Sequence, residues 1–411
     1  AYVKKNISVI GYDISKKRVD QLNQGKSGMQ HIEDERVKII IDKGLFKATH
    51  NPADLQKADA ILVAVPTPLD IYHKPDLSYV KNTCHTLKQQ LKQGQLVVLE
   101  STTYPGTTED IMKPILEESG LKAGVDFFLA YSPEREDPGN PNFETATIPK
   151  VIGADSETER SIAKIVYDKI VKTVIVSNAR TAEATKLVEN IYRWINIAAV
   201  NEMKTIFEKM DIDIWEVIDA AKTKPFGFQA FYPGPGVGGH CIRIDPYYLS
   251  WKAREYGLTT QFIELAGEVN TKMPSIIITR LMDEMSFRLE KPLSGSKILV
   301  CGLAYKKNID DIRESPALEL IQILINKKAT VSYFDPFIDE IRQKTEFPSL
   351  TGMQSIEWNT KSLKTFDAVI VATDHSNVDY EELCKCIPLI IDTRNALKDL
   401  HEKYPTSIVK A

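Results

Sequence analysis

Short apolar runs rich in β-branched residues recur along this chain, and polar amphipathic stretches separate them. The stretches 77–91 and 107–118 have apolar residues at helical spacing. Strands that are apolar throughout and alternate with helices predict a parallel sheet covered on both faces. The first group of runs comprises "ISVIGYD" (7–13), "AILVAVPTP" (60–68), "LVVLEST" (96–102), "FFLAYSPE" (127–134) and "KVIGA" (150–154).

The strand pattern stops at about residue 181. There, "TAEATKLVENIYRWINIAAVNEMKTIFEKM" (181–210) keeps apolar residues at helical spacing without Pro or Gly, which predicts one long helix. Two further helices are predicted at 212–223 and 262–285. Strand-like runs return in "SGSKILVCGLAYK" (294–306), "ATVSYFDP" (329–336), "DAVIVATD" (367–374) and "LIIDTRNAL" (389–397).

This order predicts an α/β fold with two Rossmann-like parallel-sheet domains. The first domain is expected at 1–180 and the second at 289–411. A helical middle domain, 181–288, is expected to join them through the long spine helix.

Composition excludes several classes of partner. The formal net charge is −4 and no long basic run is present, so nucleic acid is not the expected partner. No apolar run reaches about 18 residues, which argues against a membrane span. The N-terminus lacks the layout of a signal peptide.

The chain has five cysteines, which are unevenly spaced. They indicate reduced thiols in a cytoplasmic protein. Cys384 and Cys386 form a C-x-C pair without a second pair of ligands, so we expect no metal site.

Polar residues follow several predicted strands, at the sheet edge where α/β proteins bind ligands. An acid that ends the second strand of a dinucleotide-binding fold accepts hydrogen bonds from the adenosine ribose of NAD. Asp13 is in that position, although such an Asp can also be a simple helix N-cap. NADP binding would require a positive charge nearby, and Lys16, Lys17 and Arg18 leave NADP as an alternative cofactor. The other candidate cofactor residues are Pro66, Thr67, Ser101 and Thr102.

The glycine fingerprint that accompanies such an acid should lie about 20 residues earlier. Only 12 residues precede Asp13, and Gly11 is the only glycine among them. We therefore expect the first strand and its glycine loop to be absent from this sequence. A truncated chain and a sequence limited to ordered residues are the two explanations, and we favour the second.

The stretch "YPGPGVGGHCIRIDPYYL" (232–249) is unusually rich in Gly and Pro. Glycines let the backbone approach a bulky substrate, and a cysteine thiolate can attack an aldehyde to form an adduct that is oxidised to a thioester. Cys241 is thus a candidate nucleophile, and Asp245 could face the same cavity. The alternative is a buried free cysteine beside a tight turn.

Five motifs together resemble the UDP-glucose/GDP-mannose dehydrogenase family, and the likeness runs from about residue 7 to 397. They are "PGPGVGGHCIRIDPYYLSWKA", "ESTTYPGTTE", "SPEREDPGN", "TKLVENIYRWINIAAVNE" and "AYKKNIDDIRESPAL". The chain is most similar to the branch that acts on UDP-N-acetylhexosamines, the UDP-N-acetyl-D-glucosamine 6-dehydrogenases. The resemblance implies oxidation of a sugar C6 alcohol to a carboxylate with NAD, and a homodimer or higher homo-oligomer associated through the helical middle.

The resemblance also implies catalytic roles. Cys241 matches the nucleophile, Asp245 the acid that helps water attack the thioester, and Thr102 a threonine that holds the water. Lys186 and Asn190 match a K-x-x-x-N pair that shares one helix face. The lysine would stabilise an oxyanion, and the asparagine would hold a sugar hydroxyl.

Glu134 matches an acid near the same water, and either Glu134 or the lysine would accept the first proton. Without the motifs, Lys186 would be read as an ordinary solvated lysine.

Further matches concern binding. Lys306 and Arg394 match basic residues that bind the substrate diphosphate. Arg313 matches an arginine near the cofactor. Tyr232 and Gly238, from the glycine-rich stretch, join Glu134, Lys186 and Asn190 as substrate candidates.

Two departures from the UDP-glucose enzymes lie close to the sugar. Pro138 stands where those enzymes have a second glutamate, and no arginine is evident in "KTKPFGFQAF" (222–231). Both changes fit a pocket reshaped for a 2-acetamido group.

The leading interpretation is NAD-dependent oxidation of UDP-N-acetyl-D-glucosamine to the uronic acid. UDP-N-acetylmannosamine, UDP-N-acetylgalactosamine and UDP-glucose remain alternatives. A silent nucleotide-sugar-binding protein is the non-enzymatic alternative, although such a protein would have no chemical need for Cys241, Lys186, Asn190 and Asp245.

Overall fold

The computed structural model describes residues 1–28, 32–70, 72, 74–137, 143, 146–342 and 346–411, with His240 and Cys241 described by their backbone alone. The chain divides into two compact units. The first comprises Ala1–Asn190 and Ile244–Thr259, and the second comprises Ile191–Arg243 and Thr260–Ala411.

Among the described residues of the first unit, seven strands build the sheets. Strands β1 and β2 form a parallel pair, and the other five have the order β3-β4-β5-β6-β7. The apolar runs are buried in this second sheet, whose strands β4 and β6 are buried along their whole length. The strands are β1 Val9–Tyr12, β2 Phe46–Thr49, β3 Ala60–Val63, β4 Leu96–Leu99, β5 Phe128–Tyr131, β6 Lys150–Gly153 and β7 Thr173–Val176.

One pair departs from the expected all-parallel order. Strands β5 and β6 are antiparallel neighbours, joined through Tyr131 and Gly153. A parallel neighbour needs a crossover, usually a helix. The connecting sequence 132–149 contains four prolines, which disfavour such a helix.

Helices accompany these strands. A π-helical turn, Thr107–Met112, leads into α4, and the Ser156 and Glu159 side chains form a capping box at the start of α5. The helices are α1 Lys16–Asn23, α2 Asp34–Asp42, α3 Ser78–Lys88, α4 Lys113–Glu117 and α5 Glu157–Tyr167.

The second unit contains a parallel sheet of order β12-β11-β10-β8-β9. Its core combines strand residues with apolar residues of α9 and α10. The strands are β8 Lys297–Cys301, β9 Thr330–Phe334, β10 Ala368–Val371, β11 Leu389–Asp392 and β12 Ile408–Lys410. The remaining helices are α6 Ala179–Lys209, α7 Ile214–Ala221, α8 His240–Glu255, α9 Gln261–Leu289, α10 Pro316–Asn326, α11 Thr360–Leu363 and α12 Tyr380–Cys386.

Helix α6 has 31 residues, which confirms the predicted spine helix. Helices α6 and α8 each supply residues to both units. No helix in the described part of the chain is long and apolar enough to cross a membrane. Among the cysteines with described side chains, Cys84, Cys301, Cys384 and Cys386 are free thiols.

Candidate active site

Three polar side chains meet in the interior of the first unit. Lys186 and Asn190 lie one turn apart on α6, and Asp245 lies on α8. The Asn190 amide donates a hydrogen bond from Nδ2 to Asp245 Oδ2. All three residues are buried, Asp245 to an exposed fraction of 2%.

Burial controls the protonation of Asp245. Removal from water raises the pKa of its carboxyl to about 7, although the Lys186 charge and the Asn190 hydrogen bond act in the opposite direction. A carboxyl with such a pKa can exchange a proton near neutral pH, as an acid or base catalyst must.

The cysteine motif begins the same helix as Asp245. Cys241 is the second residue of α8, and Asp245 follows one helical turn later. The Cys241 side chain lies outside the described structure, as does Pro138, so the nucleophile stays a prediction.

The ends of β3 and β4 are tied together by Ser101. Its hydroxyl accepts a hydrogen bond from the Val65 N–H at 2.8 Å and donates to the Val65 carbonyl at 2.7 Å. Pro66 and Thr67 follow Val65, and Tyr248 donates to the Thr67 carbonyl at 3.0 Å. These residues therefore share one sheet edge, and their role in binding a cofactor stays a prediction.

Thr102 is half-buried beside Ser101, at the start of a turn that α6 holds in place. Within this turn, Gly106 has a φ of 103°, a conformation that favours glycine. The Glu183 carboxylate accepts hydrogen bonds from the backbone N–H groups of Gly106, at 2.5 Å, and Thr108, at 2.9 Å. Burial raises the pKa of Glu183 to about 7, against these hydrogen bonds.

Glu134 lies in a different polar cluster. Its carboxylate pairs with Lys150 at 3.1 Å, and Lys150 also pairs with Glu100 at 2.9 Å. Burial would raise the pKa of Glu134, but Lys150 and the backbone N–H groups of Glu136 and Arg135 hold it below the usual value. Within the described residues, no hydrogen bond or ion pair joins Glu134 to Lys186, Asn190 or Asp245.

Asp13 immediately follows β1, as expected. One carboxylate oxygen, Oδ1, accepts a hydrogen bond from the Ser15 N–H at 2.7 Å, in the manner of a turn. The other oxygen accepts none from a described residue, so it can receive a ribose hydroxyl.

In the second unit, close packing explains the glycines of the cysteine motif. A Cβ at Gly238 would lie 2.5 Å from the Tyr305 Cβ, and one at Gly234 would lie 2.5 Å from Arg394 Nη1. The Gly239 N–H donates to the Arg313 carbonyl at 3.1 Å. Only glycine permits these approaches without displacing the neighbours.

The basic candidates follow strands of this second sheet. Lys306 follows β8, and Arg394 follows β11 and donates from Nε to the Ala372 carbonyl at 3.0 Å. Burial lowers the pKa of Arg394. The Arg313 guanidinium pairs with Asp311 at 2.7 Å, while Tyr232 is partly exposed and donates to Asp219 at 2.8 Å.

Several buried polar residues were not identified from the sequence. On α6, a helical repeat of polar residues within an otherwise apolar stripe is the signal that could have revealed some of them. The others are spread over loops and other elements, where no periodic pattern marks them. The residues are Glu183, Asn201, Lys204, Thr103, Lys150 and Asn270.

Family models match most of this chain. They are described as the NAD binding domain, the central domain and the UDP binding domain of the UDP-glucose/GDP-mannose dehydrogenase family, and they match residues 1–171, 180–272 and 299–399.

Relatives with named activities match most of this chain. A UDP-N-acetyl-D-mannosamine dehydrogenase of Pyrococcus horikoshii is 34% identical over 97% of this chain and 92% of its own. A UDP-N-acetyl-D-glucosamine 6-dehydrogenase of Pseudomonas aeruginosa is 34% identical over 90% of this chain and 86% of its own. The solved structure of a UDP-D-ManNAc dehydrogenase from Pyrococcus horikoshii superimposes with a TM-score of 0.86 at 33% identity, covering 96% of this chain and 91% of that one.

Proposed function

This chain belongs to the UDP-glucose/GDP-mannose dehydrogenase family, and we propose that it oxidises the C6 alcohol of a UDP-N-acetylhexosamine to the carboxylate. It is an NAD-dependent UDP-sugar dehydrogenase, as are its relatives. The first candidate substrate is UDP-N-acetyl-D-glucosamine, and the product is then UDP-N-acetyl-D-glucosaminuronic acid.

The observation that supports this proposal most strongly is the buried contact between Asn190 and Asp245 beside Lys186. Burying a carboxyl, an amide and an ammonium group together is costly unless each has a partner or a function. A silent binding protein gains nothing from a carboxyl whose pKa lies near 7. The cluster therefore favours an enzyme.

The candidate residues define the cofactor site in part. Asp13 would bind the ribose hydroxyls, and the edge at Pro66, Thr67, Ser101 and Thr102 would line the site. When bound, NAD+ supplies the acceptor for a hydride in each of the two oxidations.

The proposed chemistry at C6 proceeds through Cys241. After the alcohol has become an aldehyde, the Cys241 thiolate adds to the carbonyl carbon and gives a thiohemiacetal. Loss of a hydride from C6 leaves a thioester. Water then attacks the thioester carbon while Asp245 accepts a proton, and the C6–S bond breaks to release the carboxylate and the thiolate.

Lys186 and Asn190 would stabilise this sequence. The lysine charge compensates the oxyanion that forms on the C6 oxygen, and the asparagine holds a sugar hydroxyl. Glu134 and Lys186 remain the two candidates for the first base. The lowered pKa of Glu134 keeps it ionised at neutral pH but makes it a weak base.

Two hexosamine epimers are supported by the names of relatives. One relative acts on UDP-N-acetyl-D-mannosamine and another on UDP-N-acetyl-D-glucosamine, at equal identity to this chain. Lys306, Arg394, Tyr232 and Gly238 would bind the part of the substrate that the two epimers share. The UDP-glucose alternative is disfavoured by the two departures near the sugar.

We also propose that the protein is a homodimer or a higher homo-oligomer. Support comes from large apolar side chains exposed on α9, such as Phe262 at 75% and Phe287 at 86% exposure. Phe262 and Leu265, which is 56% exposed, lie one turn apart at the start of α9, and adjacent exposed apolar side chains are what an interaction surface requires. Analytical ultracentrifugation of the protein would measure the state directly.

The deciding experiment follows NADH formation with a panel of UDP-sugars. UDP-N-acetyl-D-glucosamine, its manno and galacto epimers and UDP-glucose would each be supplied at the same concentration. We expect turnover of a UDP-N-acetylhexosamine, with two NADH formed per sugar and little free aldehyde. Failure with every sugar would refute the proposed function, and one NADH per sugar with accumulating aldehyde would refute the role of Cys241.

A further inference from the structure

Two buried asparagines in the second unit form a relay that ends at the glycine-rich loop. The Gly234 N–H donates to Asn201 Oδ1 at 3.0 Å. Asn201 Nδ2 then donates to Asn270 Oδ1 at 3.0 Å, and Asn270 Nδ2 donates to the Trp194 carbonyl at 3.2 Å. Both asparagines are buried, with exposed fractions of 0% and 2%.

The relay has one polarity. A backbone carbonyl at Trp194 can only accept, so Asn270 must present its NH₂ group there and its oxygen to Asn201. Asn201 must then turn its own oxygen toward Gly234, where a backbone N–H can only donate. Each amide thus has one orientation that satisfies every partner.

The remote end of this relay is a rigid element. The Trp194 indole N–H donates to the Ile263 carbonyl at 3.1 Å, which joins α6 to α9. Asn201 is on α6 and Asn270 is on α9, so the relay attaches Gly234 to two packed helices.

The other end of the loop is fixed separately. Gly239 donates to the Arg313 carbonyl, and Gly238 and Gly239 pack against Tyr305. Helix α8 begins at the next residue, His240, and Cys241 follows. The conformation of 234–239 therefore determines where the backbone of α8 starts.

We propose that Asn201 and Asn270 are positioning residues that hold the glycine-rich loop so that α8 starts in the register the reaction needs. This inference rests on the proposed function, because it assigns the loop to the residue that would carry the chemistry. Glycines allow close packing but leave the loop with little stiffness of its own. A directional pair of buried amides supplies the missing restraint, since an unsatisfied buried N–H is costly.

The test uses Asn201→Ala, Asn270→Ala and the double variant. Asn196→Ala is the matched control, because Asn196 lies on the same helix and its amide donates to the Tyr192 carbonyl at 2.7 Å near the surface. The rate of hydrogen exchange in peptides covering 232–239 measures how firmly the loop is held. Steady-state kinetics with NAD+ and the best UDP-sugar give kcat and the KM for NAD+.

We expect Asn201→Ala to speed exchange in 232–239 and to lower kcat, each by about tenfold or more, because the buried Gly234 N–H loses its acceptor. The KM for NAD+ should change less than about twofold, because this loop does not contribute to the binding of the cofactor. The control should show neither change. If the two asparagines act as one relay, the double variant should be no worse than the more severe single variant.

Other outcomes overturn the proposal. Asn201→Ala that behaves like the control shows that the loop needs no relay. Faster exchange with an unchanged kcat shows that the relay does not position the reaction, and strictly additive losses show that the asparagines act separately.

If Asn201→Ala unfolds the unit, as exchange in Lys297–Cys301 would reveal, Asn270→Ala takes its place. Asn270→Ala removes the acceptor that orients the Asn201 amide toward Gly234, so it should change exchange and kcat in the same direction by a smaller factor. An unmutated protein that oxidises no UDP-sugar refutes the proposed function instead, and exchange in 232–239 then decides alone whether the relay holds the loop.

Discussion

Asp245 illustrates how burial alone changes the chemistry of a residue. In water its carboxyl would be ionised well below neutral pH. Inside the first unit its pKa is about 7, despite the Lys186 charge and the Asn190 amide. As the base for thioester hydrolysis, Asp245 must be ionised, so the step should gain rate as the pH rises through that pKa.

Single-turnover experiments over a pH series test this expectation. Release of the uronic acid should slow by about tenfold per pH unit below the pKa of Asp245 and level off above it. Asp245→Asn should slow this step by about 10²-fold and remove its pH dependence. A hydrolysis rate that does not vary with pH in the unmutated protein would show that Asp245 is not the base.

Substitutions of Cys241 and Lys186 should affect the two oxidation steps differently. Cys241→Ser changes little volume but replaces a thiol by a far less ionised hydroxyl, so acid formation should nearly stop while some first-step NADH survives. Lys186→Ala removes a charge used in both steps and should slow both by about 10²-fold. Stopped-flow NADH traces distinguish the patterns, and uronic acid made by Cys241→Ser at the normal rate would make the cysteine structural.

Asp13 should set the choice of cofactor. A carboxylate beside the ribose repels the 2′-phosphate of NADP, so kcat/KM should favour NAD+. Asp13→Ala should narrow the preference by lowering the rate with NAD+. Turnover with NADP+ at least equal to that with NAD+ in the unmutated protein would assign the choice to Lys16, Lys17 and Arg18 instead.

At the scale of elements, helix α6 contains buried polar residues that its apolar periodicity does not reveal. Apolar spacing was enough to predict the helix, because a long run without Pro or Gly has few other solutions. The same buried stripe contains Glu183, Lys186, Asn190 and Asn201. Only Lys186 and Asn190 were found from the sequence, through a family motif that assigned no role to Glu183 or Asn201.

Strands were predictable where burial on both faces made them apolar throughout, as in β4 and β10. Strands β2, β7 and β12 were missed. Strand β7 has the sequence TVIV, so its apolar pattern was available in the sequence, whereas β12 has only three residues and does not stand out as a run. Helix α8 was also missed, because Pro246 inside it usually ends a helix.

The glycine-rich loop offers a steric test at this scale. Gly238→Ala should destabilise the protein by about 1–3 kcal/mol and reduce kcat, because the new methyl group meets Tyr305 and the Glu314 carbonyl. Gly295→Ala is the control. Its Cβ meets nothing within 4 Å, and its φ of +82° should cost about 1 kcal/mol without loss of kcat. Urea unfolding and kinetics measure both, and equal kcat values in the two variants would contradict the close packing.

At the scale of the whole molecule, two units contain the two groups of candidate residues. Asp13, Ser101 and Lys186 belong to the first unit, and Lys306 and Arg394 belong to the second. From its two sets of strands, the sequence predicts three domains, with Lys186 in the helical middle domain, and that division stays a prediction. It did not indicate that 244–259 would join the first unit, because contacts so distant in sequence leave no local pattern.

Ligands should therefore protect different parts of the molecule. NAD+ at a hundred times its Kd should stabilise its site by about 2.7 kcal/mol, seen as slower hydrogen exchange in β3 and β4. UDP alone should instead slow exchange around β8 and β11. Protection of only the first unit by UDP would contradict the assignment of Lys306 and Arg394.

The divided first unit has a consequence for how the protein is made. Tyr248 reaches back to the Thr67 carbonyl, and its ring lies 6.2 Å from that of Tyr104. The first unit is therefore incomplete when β7 has been synthesised, because it still lacks residues 244–259. The 53 residues 191–243, which belong to the second unit, must be synthesised before that segment. We expect nascent chains that stop within that interval to retain Lys186 without the counter-charge of Asp245, and so to be preferred targets of quality-control proteases.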